Sequence, residues 1–512
     1  MYAEFTLIDL SQLADAANHD AEFALAARYW ATRLEIVIGD RAAELLILDG
    51  RIVEVGKTGS FGTELDVIRL RAAEDVWRRL LSPRPGPGWQ DPHWIRDFDF
   101  HGNVLDRAPY YAAVRRLLDL MRLQLHGPAE GPTVADSDRL FDDPVGRYVY
   151  VDVQGVQYRV YFEESGSGIP MLMQHTAGTS GLQWRHVLAD RDYQKDFRLI
   201  AYDLPFHGKS LPPTSQTWWA QDYMPTRSWL IDFILGLSRA LELERPVFMG
   251  CSIGGLLAPV LAAEHSDEFR AVIGVNSGMS DRPPSPDRID PSAEAPGIQP
   301  PLYFHPRVAN DWKSAAMMGL MAPDSPEAFQ RETAWLYASE APPVYYGDVR
   351  SYRSEFRLSE DAARAIDTSK VGVYMLTGEY DPFALDGAAD RLADLIPGVS
   401  HAKILSAGHF APSDNRFFSK CGPSRCQCGR GSIPGPSDAR RGAVPSAMSS
   451  SVIDDMAGGC RSPTRGWMSS GAPIRQSRFQ GGATSSRKTA PSAVPEMRRM
   501  SSLTSQPKVR AR

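Results

Sequence analysis

The chain has 512 residues, 43% of them hydrophobic and 23% charged. That balance excludes wholesale disorder and calls for more than one folded core, since domains usually run to roughly 100–200 residues. The net charge of −6 conceals an asymmetry, because residues 421–512 hold 15 Lys+Arg against 4 Asp+Glu and residues 1–420 hold 41 against 58. An acidic body gives no electrostatic reason to bind nucleic acid specifically, since that affinity comes from neutralising phosphates.

The opening MYAEFTLIDLSQLADAANHD mixes Glu4, Asp9 and Asp15 into its apolar residues, unlike a secretory leader. No stretch reaches the roughly 18 apolar residues of a membrane span, so a soluble cytoplasmic protein is the expectation. Of the five cysteines only Cys251 falls before residue 421, which rules out a disulfide framework for the body.

Residues 1–130 read as a small α+β domain. A helical AEFALAARYW is followed by the strand patterns TRLEIVIG, AELLILDG, RIVEVG and DVIRLR and by a helix, AAEDVWRRLL. Asp49-Gly50 between two of these strands marks a tight hairpin. The Pro-rich PRPGPGWQDP closes the unit, and residues 108–125 carry the period of an amphipathic helix able to dock on either neighbour.

From 148 to 276, and again from 371 to 416, short apolar runs alternate with helical stretches. PMLMQH, FRLIAYD, PVFMG, AVIGVN, VGVYMLTG and AKILSAG suit a buried parallel sheet, with YVYVDV and VQYRVYF as an antiparallel pair. The fold class is therefore α/β, a doubly wound and mostly parallel sheet. About 95 residues separate AVIGVN from VGVYMLTG, far more than a usual connection. Residues 277–370 are read as an inserted helical lid, Pro-rich at its start and then bearing Trp312, Phe329, Trp335, Tyr337, Tyr345 and Tyr346. Most of these side chains form the lid's own core, and a minority, with Trp312 and Trp335 as candidates, face a substrate pocket.

Gly250-Cys251-Ser252-Ile253-Gly254-Gly255 follows an apolar strand and opens a helix. A sharp strand-to-helix turn needs glycines around it so that a serine can sit strained with its hydroxyl presented. Serine alone is a weak nucleophile and requires a base, itself oriented by a carboxylate. Asp381 lies just past VGVYMLTG and His409 just past AKILSAG, which makes Ser252, Asp381 and His409 the candidate triad. Glu379 and Asp386 are rivals for the acid, and His401 for the base. An oxyanion would be held by the backbone N–H of Ile253 and by one from His175-Thr176-Ala177-Gly178, with Ala177 preferred and Thr176 next. His175, Thr176 and His207 are further pocket candidates, and Trp218 and Trp219 could line an entrance.

Residues 148–410 resemble the α/β-hydrolase superfamily in this elbow, in Asp381 and His409, in the His175-x-x-Gly loop and in Asp203-Leu-Pro-Phe-His207-Gly-Lys-Ser. The likeness is to its serine esterase and C–C-bond-hydrolase branches. It implies acyl-enzyme chemistry on a hydrophobic carboxylic ester, without metal or cofactor, and a thioester or a C–C bond as alternatives. Branches that open epoxides or remove halide use an aspartate nucleophile, which Ser252 disfavours. Residues 1–130 resemble the sterol-carrier-protein-like fold through the LDGRIVEV hairpin and the helix after it. That likeness implies an apolar ligand tunnel, and hence a rival reading as a lipid-binding protein with a secondary hydrolase domain. A homodimer through residues 1–130 or the lid is compatible with the sequence. Residues 421–512, rich in Ser, Gly, Pro and Arg, are expected to be a disordered, out-of-frame extension in place of a last helix. Cys421, Cys426 and Cys428 lack the paired spacing of a zinc site.

Overall fold

In the computed structural model of the chain, the residues described are 7–102, 108–128, 141–278, 305–306, 310–356, 358–384, 387–414 and 426–427. Two sheets organise them. The first contains β1 (Thr32–Ile38), β2 (Arg41–Leu48), β3 (Arg51–Lys57), β4 (Val67–Ala72) and β5 (Asp99–His101), in the order β3-β2-β1-β4-β5. All its pairs are antiparallel except β1 with β4. Asp49 and Gly50 both have positive φ, 48° and 75°, as a type I′ turn requires. A Cβ on Gly50 would stand 2.5 Å from the carbonyl oxygen of Ala27, so glycine is needed there for space as well as for conformation.

One helix is additional to those expected. Leu10–His19 is capped by Asp9, whose carboxylate accepts from the N–H groups of Ser11 and Gln12, and it buries Leu10, Leu13, Ala14 and Ala17. The helix read over residues 21–30 ends at Ala26. Tyr111–His126 settles mainly on the first sheet's core, which receives Val114, Leu117 and Met121, while Tyr111 joins the larger core beyond it.

The second sheet comprises β6 (Val145–Val153), β7 (Val156–Gly166), β8 (Ile169–Gln174), β9 (Phe197–Tyr202), β10 (Val247–Cys251), β11 (Ala271–Val275), β12 (Gly372–Gly378), β13 (Ser400–Ile404) and β14 (Cys426–Gln427). Their order is β14-β13-β12-β11-β10-β8-β9-β7-β6. The run from β13 to β9 is parallel, and β6, β7 and β14 make the sheet mixed. Alternate residues of the parallel strands feed opposite cores. Met171, Met173, Val247, Met249 and Ile273 enter one, and Leu172, Phe248 and Val272 the other. Burial on both faces is why these strands read as unbroken apolar runs.

Between β11 and β12 lie the helices Asp311–Met318, Glu327–Ser339, Pro342–Glu355 and Glu360–Arg364. Their Met317, Phe329, Tyr337, Tyr345 and Val349 belong to the same core cluster as Leu172 and Phe248. Among the described residues the insertion therefore shares the core of the sheet, where most of its aromatics were expected to form a core of their own. Its Pro-rich opening, Tyr303 and Asp386 lie outside the described residues, as does the expected tail apart from Cys426–Gln427. Among the described residues no helix is long and apolar enough to cross a membrane. No group of three or more His, Cys, Asp or Glu among them is placed to hold a metal ion.

Candidate active site

Four loops leave the C-terminal ends of β8, β10, β12 and β13 and meet at one edge of the sheet, where open α/β sheets commonly bind ligands. Ser252 stands at the junction of β10 with the helix Ile253–Glu264, at φ 55° and ψ −110°, a conformation that costs a non-glycine residue free energy. The glycines around it are required by space. A Cβ on Gly250 would lie 2.2 Å from the carbonyl carbon of Gly254, and one on Gly255 would lie 2.5 Å from the carbonyl oxygen of Val275. We expect Gly250→Ala to lower stability by about 1–3 kcal/mol through this overpacking, measured as a fall in the urea midpoint.

His409 Nε2 is 3.0 Å from Ser252 Oγ. On its other side His409 Nδ1 is 3.1 Å from Asp381 Oδ1, close enough to pair but not aligned as a hydrogen bond. The same carboxylate oxygen accepts from the Phe383 N–H at 3.0 Å. Catalytic hydrogen bonds are often poorly aligned before substrate binds. The rivals stand elsewhere: Glu379 accepts from the Ser406 N–H, and His401 lies near Thr377 and Asp390.

In the loop after β8, the Thr176 N–H donates to Gln183 Oε1 and the Gly178 N–H to Asp348 Oδ2, each at 2.8 Å. The N–H of Ala177, between them, has no partner among the described contacts, whereas that of Thr176 is engaged, which favours Ala177 over Thr176. Cys251 is buried, and burial, with the charge of Asp381 adding, pushes its thiol well above the ordinary range. That makes it a poor thiolate source.

The cleft over Ser252 has about 450 Å³ of empty space, part of it open to solvent. Its base is Ser252, His409, Thr176 and Ala177, and the insertion adds Met317, Leu320, Tyr337, Tyr345, Val349 and Tyr352. Trp94, Phe383 and Phe410 complete the lining. No Asp, Glu, Lys or Arg occurs among these described lining residues.

Several pocket candidates do not reach the cleft. Trp335, in the helix Glu327–Ser339, is 74% exposed, and Trp218 and Trp219 are also exposed. Trp312 is buried beside His93 and Tyr111 instead. His175 is buried below the loop: its Nε2 accepts from the Leu204 N–H, and its Nδ1 faces the Thr176 carbonyl. Burial, and then the charge of His207, hold its pKa well below the ordinary value.

His207 does something else. Its Nε2 donates to Asp348 Oδ2 at 2.9 Å and its Nδ1 to the Pro205 carbonyl at 3.1 Å. Burial disfavours the imidazolium, but the charge of Asp348, its hydrogen bond and the charge of Glu340 outweigh burial and raise the pKa to about 9. With both nitrogens donating, the ring is a buried cation paired to a residue of the inserted helix Pro342–Glu355.

Sequence reasoning missed the residues that hold the loops. Asn276, directly after β11, donates to the Gly408 and His409 carbonyls and accepts from the Gly378 N–H, which ties the base loop to the acid strand. Asp414 accepts from the N–H groups of Gly408 and Ala322 and from Ser325 Oγ. Asn276 had a legible signal, a polar residue at the end of an apolar strand, as at Ser252. Asp414 had none.

Residues 169–296 match the model of the alpha/beta hydrolase fold family. The chain has the α/β-hydrolase fold. The chain is 31% identical over 122 residues to 2-hydroxymuconate semialdehyde hydrolase of Pseudomonas sp. strain CF600, covering 23% of this chain and 40% of that protein. It is 29% identical over 194 residues to bifunctional epoxide hydrolase 2 of Sus scrofa, covering 38% and 32%. It is also 28% identical over 179 residues to the pimeloyl-[acyl-carrier protein] methyl ester esterase of Vibrio atlanticus strain LGP32, covering 33% and 60%. The chain thus spans about a third to three fifths of the length of these relatives.

Proposed function

We propose that the protein hydrolyses a carboxylic ester with a hydrophobic acyl or alcohol part through a serine nucleophile. The observation that carries this reading is the 3.0 Å approach of His409 Nε2 to an elbow-strained Ser252 Oγ. The aromatic cleft without fixed charge among its described lining residues favours an uncharged, apolar substrate.

In this mechanism Ser252 Oγ attacks the ester carbonyl carbon while His409 Nε2 takes its proton. Asp381 keeps the imidazole in the tautomer that presents Nε2 and stabilises its cation. The negative oxygen of the tetrahedral intermediate is held by the N–H groups of Ile253, at a helix start, and of Ala177. Collapse expels the alcohol, which receives the proton from His409. A water activated by the same histidine then attacks the acyl carbon, releases the acid and restores Ser252.

The same groups serve a C–C or thioester substrate, and the likeness to a protein named for 2-hydroxymuconate semialdehyde keeps the first as a second reading. The epoxide hydrolase relative does not lead to a third. Epoxide-opening branches use an aspartate at the elbow, and residue 252 is serine.

An alkyl fluorophosphonate, which captures an activated serine, tests the assignment. Peptide mapping should find one adduct, on Ser252, and Ser252→Ala should remain unlabelled. Labelling of another residue at an undiminished rate in that variant would sink the proposal.

A further inference from the structure

The Pro-rich stretch after Leu81, which reads as a closing linker, enters the hydrolase region at three points. Arg84 donates to Asp324 Oδ2 at 3.2 Å and to Ser406 Oγ at 3.1 Å. Gln90 Nε2 donates at 2.9 Å to the carbonyl of Tyr380, the residue before Asp381. Trp94 Nε1 donates at 3.1 Å to the carbonyl of Ala316, one residue before the pocket residue Met317.

These contacts are held from behind. Asp91 is 2% exposed, accepts from Tyr111 Oη and pairs with Arg115, and Arg115 also donates to the Ala315 carbonyl at 3.1 Å. Both Tyr111 and Arg115 belong to the helix whose opposite side is packed into the first sheet's core. Arg122 of the same helix donates to the carbonyls of Leu80 and Gln90. Trp94 is therefore fixed by the N-terminal region, while its ring lines the cleft with Ser252 and meets Phe383 edge-on at 5.5 Å between centroids.

We infer that the N-terminal region is a working part of the substrate site, and that Trp94 is a specificity-determining residue which limits the size of the apolar group accepted. An indole with its only polar atom bonded backwards to Ala316 offers the cleft a flat apolar wall. The wall is rigid because its backbone is anchored through Asp91 and Gln90. Replacing it with a smaller side chain lengthens the cleft and removes contact from small ligands.

The effect on turnover rests on the hydrolase reading, whereas the effect on binding does not, so both are measured in the full chain. In a Ser252→Ala background, calorimetry with 4-alkylphenols of increasing chain length gives the preferred length. Trp94→Ala should move it longer by about two methylenes, each buried methylene being worth roughly fourfold in affinity. Trp94→Phe should keep the original optimum. Trp94→Leu, which retains apolar bulk, should move it by a smaller step and provides a folded variant if alanine fails. With Ser252 present, the same shift should appear across p-nitrophenyl esters, carried mainly by KM. An unmoved optimum in folded Trp94→Ala or Trp94→Leu overturns the inference, as does failure of every alkylphenol to bind. A moved binding optimum without ester turnover supports the inference and counts against the hydrolase reading alone.

Discussion

Ser252→Ala should reduce ester turnover by roughly 10⁴- to 10⁶-fold, and His409→Ala should do so to a similar extent. Both removals abolish one event, the attack of a hydroxyl that loses its proton as it bonds to carbon. The double variant should therefore be scarcely slower than either single one, because groups that act as a unit are not additive. Steady-state rates on one hydrophobic p-nitrophenyl ester check this. Independent effects that multiply, or a Ser252→Ala enzyme within tenfold of the original, would show that the 3.0 Å contact between these side chains is not the reacting pair. Asp381→Asn should be milder than loss of Ser252. It keeps the shape beside His409 Nδ1 but removes the charge that favours the imidazolium.

The second large effect concerns stability. Asp348 is fully buried and accepts from His207 Nε2, the Gly178 N–H and Tyr223 Oη. Asp348→Ala leaves a buried imidazolium and two further donors without their acceptor, and should cost about 3–5 kcal/mol, read as a lower urea midpoint. A pH series separates loss of the charge from loss of volume. The groups that face His207 are Asp348, Glu340, Asp203, Tyr223 and the His175 ring.

His207 has a folded-state value raised to about 9, above the ordinary value near 6.5. A raised value means that its contribution is complete below about pH 6.5 and is lost as pH climbs through the folded-state value. The fall in stability across that window should be present in the wild type and largely absent in Asp348→Ala, where His207 has lost its main partner. An unchanged pH slope would refute the ion pair. The same variant should also slow turnover, since Asp348 holds Gly178, next to the proposed oxyanion donor Ala177.

Much of the fold was legible in local chemistry. Apolar runs buried on both faces announced the parallel strands, Asp49-Gly50 announced its turn, and the glycines around Ser252 announced the elbow, because each depends on conformational freedom or period within a few residues. The helix Leu10–His19 was legible too, since Leu10, Leu13, Ala14 and Ala17 fall at i, i+3, i+4 and i+7 behind the Asp9 cap, and it was overlooked rather than hidden. Trp335 and Trp312 were chosen by residue type from a long insertion. Which side of a helix an aromatic occupies depends on what the helix packs against, and the insertion turned out to share its core with the sheet.

By itself, the sequence determined the α/β class, the strained serine between β10 and its helix, and the order in which Ser252, Asp381 and His409 occur. Only the tertiary structure decided that His409 Nε2 reaches Ser252, that Asp348 pairs with His207 and holds Gly178, and that Trp94 stands in the cleft. The physical reason is range. Turn geometry and strand burial are set by neighbours in the chain, whereas these contacts join residues 141 to 170 positions apart, or bring Trp94 to the same cleft as Ser252. They exist only once the elements have packed.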